Sequence, residues 1–216
     1  MMKNLLRKEL QLAMHPTAPL FLGLSAMLLI PNYPYLVAFF YTGLAIFFMC
    51  LNGRENRDIP FTMLLPVAKR DIVHARIWFA VIQQLLQMLV AVPFAVLNIR
   101  LYPAGNAAGL DAGMALFGCA FILYGGFNFI FFTGYYKDVS KVGAPFLLAS
   151  TWVFVWIGIV EASSFLLPFS RDFLDTPDPQ YLPQKLVVLL IGAVVYAVMT
   201  ALACRKSIIL FEKQDL

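Results

Sequence analysis

From Leu10 to Gly53 the chain carries no Asp, Glu, Lys or Arg. A helix needs about 20 apolar residues to cross about 30 Å of hydrocarbon at about 1.5 Å of rise each, so this stretch holds two crossings back to back. Pro31-Asn32-Tyr33-Pro34 divides it, because two prolines so close remove backbone donors and force a turn. The rest of the chain agrees with a lipid-facing fold. Of its 216 residues 61% are hydrophobic and 13% charged, against roughly 25% charged in soluble domains. Too few charges remain to cover a soluble surface of that composition.

Apolar runs place six crossings, at about residues 17–30, 35–51, 77–97, 112–135, 142–160 and 186–203. The expected fold is therefore an all-α integral membrane domain filling residues 1–216, with both termini cytoplasmic. Orientation follows from the cations. Of 16 Lys+Arg, only Arg100, Arg171 and Lys185 fall in the loops assigned outside, which is the bias of the positive-inside rule. Cys50, Cys119 and Cys204 lie in or beside apolar runs with no metal-ligand spacing, and read as packing residues.

Residues 1–14 have the period of an amphipathic helix lying on the cytoplasmic face. Asn4, Arg7, Lys8 and Gln11 share one side, with Leu5, Leu6, Leu12 and Ala13 opposite. Glu9 points into the apolar side, where a carboxylate calls for a cation or a capping donor unless it reaches headgroup water.

The longest cytoplasmic connection, residues 52–76, reads NGRENRDIPFTMLLPVAKRDIVHAR. Its apolar run is followed by a charged triplet and then by apolar residues again. Pro66 suits a first helical turn, so a short amphipathic helix is expected from Pro66 to about His74. This loop resembles that of small bacterial ABC transporter permeases of the type-2 exporter class, nearest to the permeases for phenol-soluble-modulin-like peptides. Arg7-Lys8-Glu9-Leu10 before the first crossing, the six-helix layout and the proline-broken segment between the last two crossings are similar to that family too.

The resemblance implies several roles. Residues 1–14, with Arg7, Lys8 and Glu9, would form the family's elbow helix. Pro66 to about Arg76 would be a coupling helix docking on an ATPase subunit, with Glu55, Pro66, Val67, Lys69, Arg70, Asp71 and Arg76 as the coupling set. The chain has no GxxxxGK[ST] phosphate loop, so ATP and Mg are expected on a separate cytoplasmic ABC ATPase, in two copies. Six helices make half of the family's pathway, so a second permease copy, identical or paralogous, is expected as well. The implied site is a bacterial cytoplasmic membrane. The implied activity is export of an amphipathic or hydrophobic cargo, with no catalysis, cofactor or metal in this chain and no nucleic acid partner.

Other polar residues leave two readings each. Gln83 and Gln87 share a face of the third crossing, and Asn128 lies in the fourth. They read as hydrogen-bonding glue between helices or as a polar pathway lining. Glu161 reads as a pathway residue or as the start of a re-entrant or interfacial turn over 161–185, paired with Arg171. Asp172, Asp175 and Asp178 form a DxxDxxD run broken by prolines, with no phosphate-handling motif nearby. Two other functions fit a polytopic chain. An ion-coupled secondary transporter would want charges near the midplane, and an intramembrane lipid-modifying enzyme would want a nucleophile with its base. Neither is present.

Overall fold

A computed structural model of the chain describes residues 2–214. The side chain of Leu12, assigned above to the apolar side of the first helix, lies outside the described set. Helix α1 (Met2–Lys8) widens into a π-helical turn at Glu9–Ala13. After a break at His15-Pro16, α2 (Ala18–Gly23) continues as a 3-10 helix over Leu24–Leu29. Then follow α3 (Val37–Glu55), α4 (Asp58–Met63), α5 (Lys69–Leu101), α6 (Met114–Tyr135), α7 (Gly143–Leu166) and α8 (Leu182–Glu212).

Five helices, α3, α5, α6, α7 and α8, are long and apolar enough to cross a membrane. The expected first crossing, residues 17–30, is different. It is a shorter apolar piece, half α-helix and half 3-10. Pro19 fits the first turn of α2. Together with the π-helical turn before it, this piece nonetheless contacts α5 along its length. Glu9 meets Arg76, Ser25 meets Gln87, and the carbonyls of Leu28 and Leu29 meet Asn98 and Tyr102.

The crossings keep their expected order, but the helices run past their expected ends. The expected 77–97 becomes Lys69–Leu101 and 186–203 becomes Leu182–Glu212, because a helix has no need to stop where the hydrocarbon does. The separate helix expected from Pro66 to His74 is not there. Leu64–Ala68 is a loop, and residues from Lys69 onward are the first turns of α5. Pro66 breaks the chain before the helix rather than opening it, and nothing between Lys69 and Ile77 interrupts the helical period. The short helix of this connection is α4 instead, reached by a left-handed turn at Arg57.

The bundle core is built on α6. Gly118 and Gly192 let α6 and α8 meet backbone to backbone, for a methyl group added at Gly192 would strike the Gly118 carbonyl oxygen. On the other side, Trp152 and Trp156 of α7 donate their indole N–H to the carbonyls of Leu123 and Cys119, at 3.3 and 3.0 Å. Each large apolar ring thereby buries without leaving its donor unpaired. Aromatic rings from α3, α6 and α7 fill the remaining space, among them Phe39, Phe127, Phe131 and Phe132.

The expected turn at Glu161 is also corrected. Glu161 sits inside α7, which continues to Leu166, and a π-helical turn over Ser170–Leu174 follows.

Candidate functional site

One end of the bundle gathers the charges of α1, its π-helical turn and the 52–76 connection into a single cluster. Arg76, on the second turn of α5, is fully buried. Its Nε and Nη2 donate to the Glu9 carboxylate at 3.1 and 3.3 Å, its Nη2 to Asp58 at 2.5 Å, and its Nη1 to the Tyr135 hydroxyl at 3.0 Å. Lys8 completes the set, 2.7 Å from Asp58 and 3.1 Å from Glu9, and also donates to Thr62. Two cations and two carboxylates cancel. Four elements (α1 with its π-turn, α4, α5 and α6) are tied at one point. Burial alone would push the Asp58 carboxyl up, but the Arg76 guanidinium and Lys8 ammonium together hold it below the ordinary carboxylate value.

This arrangement redistributes the expected site residues. Glu9 finds a cation inside the protein, not at the headgroups. Arg76, expected on the partner-facing coupling surface, has no exposed surface at all, since two carboxylates and a phenol enclose it. Lys8 turns away from the polar side of α1 toward Asp58, while Arg7 stays exposed and bonds Gln11. Asp58 and Tyr135 were not singled out from sequence. The one available signal was Glu9, a carboxylate needing a cation, beside the surplus of basic residues in residues 52–76.

The outward side of the same end is apolar. Phe61 and Leu64 expose 66% and 83% of their surface and Leu65 48%, so the end of α4 and the loop after it form a bare tip, a few residues along the chain from Asp58 and Thr62 of the cluster. Flanking it, Arg70 is exposed and Glu55 pairs with Arg54. Pro66 is exposed, while Val67 and Asp71 are half-buried. Lys69 reaches sideways, donating to the Gln214 carbonyl and lying over the Phe211 ring.

In the middle of the bundle a second polar group is enclosed. Gln84 and Asn128 exchange reciprocal amide bonds at 2.7 and 2.9 Å, Tyr196 donates to Gln84 and Asn128 to Thr200. Gln87 donates to Ser25, and Gln83 lies 3.3 Å from the Met14 sulfur. Gln84, Tyr196 and Thr200 were the residues that sequence reasoning did not place with Asn128.

The opposite end is acidic and closed by loop 102–113. Gly109, with φ of +152°, passes so close to Glu161 that any side chain there would collide with the carboxylate. Glu161 accepts from the Leu110 N–H at 3.0 Å, and Asp175 accepts from the Asp111 N–H at 2.9 Å. Asp178 accepts from Met114 and pairs with buried Lys185. The expected Glu161–Arg171 pair does not form, because Arg171 turns to Asp172. Among the described residues no cluster of His, Cys, Asp and Glu is arranged to hold a metal ion.

Neither the curated proteins nor the solved structures contain a match to this chain. The family model described as ABC-2 family transporter protein matches residues 4–212, which takes in the buried ionic cluster, the apolar tip and all five long helices. The chain thus belongs to the ABC-2 family and is the membrane permease component of a transporter of that type.

Proposed function

We propose that the chain is the permease half of an ATP-driven exporter, engaged by a cytoplasmic ABC ATPase through the tip Phe61–Leu65. ABC-2 permeases generally pair with such an ATPase and are typically non-catalytic subunits. The observation that carries the reading is the bare apolar tip next in the chain to a buried ionic cluster. An exposed apolar patch marks a docking surface, and the adjoining cluster ties it to α1, α5 and α6. ATP and Mg act on the partner, and closure of its dimer displaces the tip, so that the tied helices move as a body.

Six crossings with both termini on the cytoplasmic side of a bacterial membrane belong to the same reading. Parity supports it. Lys8 and Glu9 contact Asp58 and Arg76, while Gln214 contacts Lys69 and Tyr136, so both ends of the chain sit at the basic end. Five long helices are an odd number, and the segment from Glu9 to Leu29 supplies the remaining traverse. A second copy, identical or paralogous, completes the pathway. Apolar walls with a few buried amides suit an amphipathic or hydrophobic cargo such as a peptide, lipid or drug-like molecule.

The test is co-expression of the chain with its neighbouring genes, mild extraction and assay of ATP hydrolysis. ATPase activity should co-purify, and Phe61→Asp with Leu64→Asp should abolish recovery while the chain elutes unchanged; reversing charge at Lys69 and Arg70 should weaken it. Transport by the chain alone, following a proton gradient, would overturn the reading.

A further inference from the structure

A groove of about 510 Å³ runs between α5 and α8 on the outer surface of the bundle, within the roughly 300–1,000 Å³ of small-molecule sites. His74, Trp78 and Val81 line it from α5, and Tyr196, Thr200 and Arg205 from α8. Its walls are apolar apart from the two ends. Tyr196 and Thr200 are held by the buried amide group at one end, and Arg205 and His74 stand at the other. No acidic residue lines it. Arg205 is exposed and makes no ion pair among the described residues. Next to it Lys206 lies over the Phe129 ring.

We propose that this groove is a binding site for an anionic phospholipid of the leaflet at the basic end, with its headgroup phosphate on Arg205 and an acyl chain along Trp78, Val81 and Tyr196. The depth agrees. From Tyr196 to Arg205 α8 rises about 13 Å, close to the roughly 15 Å of hydrocarbon in one leaflet. The polarity agrees too, with a cation at headgroup level and apolar walls below. A second copy of the chain is a poorer occupant. A two-fold contact through one shared patch would bring Arg205 and Lys206 of one chain toward the same residues of the other at equal depth, and the groove offers no carboxylate to separate them. The site stands independently of the ATPase pairing, so failure of either leaves the other untouched.

Trp78 is 55% exposed and serves as the reporter. With Trp152→Phe and Trp156→Phe it is the last of the three tryptophans. The full chain is placed in phosphatidylcholine vesicles containing a small fraction of either acyl-brominated phosphatidylglycerol or acyl-brominated phosphatidylcholine. Quenching should favour the anionic lipid by about fivefold, the factor expected from one basic residue at a charged surface. Arg205→Gln should bring the two lipids level, Arg205→Lys should keep the preference, and Arg171→Gln at the opposite end should not alter it. Equal quenching by both lipids in the unsubstituted Arg205 background would overturn the site. So would an absence of quenching with the groove cross-linked between copies. Should the tryptophan variants misfold, mass spectrometry of lipids retained by the native chain and by Arg205→Gln decides, and equal anionic lipid in both would overturn the proposal.

Discussion

The guanidinium of Arg76 and the carboxylate of Glu9, 67 positions apart in sequence, meet with neither side chain exposed to more than 1%. Neither charge is tolerable there alone, because a buried ion without its partner keeps the whole desolvation cost. The pair therefore pins the π-helical turn after α1 to α5.

Arg76→Leu should destabilise the chain by about 3–5 kcal/mol, the usual cost of orphaning a buried charge. Adding Glu9→Gln should recover part of that loss, since the stranded carboxylate is then gone. Thermal unfolding in detergent with both variants measures the recovery. A double variant no better than the single one would mean that Glu9 is hydrated in solution.

The amide pair in the bundle centre predicts a smaller number. A double-mutant cycle of Gln84→Leu and Asn128→Leu should give a coupling of about 0.6–1.7 kcal/mol, as for other polar contacts between membrane helices. If the group is only glue, transport should track stability. Loss of transport at full stability would assign the pair to the pathway.

Glycine substitutions should separate packing from helix propensity. Gly192→Ala puts a methyl group against the Gly118 carbonyl, where only backbone could yield, and should cost about 1–3 kcal/mol as overpacking does. At Gly158 a methyl group meets nothing, so Gly158→Ala should gain up to about 1 kcal/mol from propensity. Melting temperatures of the two variants should move in opposite directions.

Acid should tighten the loop that closes the acidic end. Burial first, and then the nearby Asp111 carboxylate, push the Asp175 carboxyl up to about 6, and burial raises Asp111 as well. An acid whose folded value lies above its unfolded value holds more protons when folded. Its stabilising effect is therefore full below about pH 4 and lost as pH rises to about 6. Amide exchange over residues 105–111, corrected for intrinsic rate, should be slower at pH 5 than at pH 7.5. Asp175→Asn keeps an acceptor for the Asp111 N–H and should reduce the difference, leaving the part that Asp111 contributes.

The spans were legible because lipid imposes a length and a composition, and both are written in the local sequence. The order of α3 and α5 through α8 follows from that alone. Their ends were not legible: charge marks where hydrocarbon stops, while α5 and α8 continue past it. The break at Leu64–Ala68 shows the same limit, since Pro66 fits a helix start and a helix interruption equally well. Arg76 was misplaced because a lone arginine near a membrane border reads as a surface cation. Its true setting depends on Glu9 and Asp58, which only the tertiary fold brings to it. For the same reason Tyr196 and Thr200 could not be linked to Asn128 from spacing.

One proline lies within α5, at Pro93. Having no N–H and a ring that crowds the preceding turn, proline is where a long helix yields. Beyond it Asn98 is clamped to the Leu28 carbonyl and the Tyr35 hydroxyl. If an ATPase displaces the tip as proposed, Pro93 is where α5 would bend, with about 36 Å of helix toward Lys69 and about 12 Å toward Leu101. Paired spin labels on Arg70 and Leu101 would read the two strokes, and equal strokes would mean that the helix translates without pivoting. A bend there would let the Lys69 end of α5 swing while the clamp on Asn98 holds the Leu101 end in place.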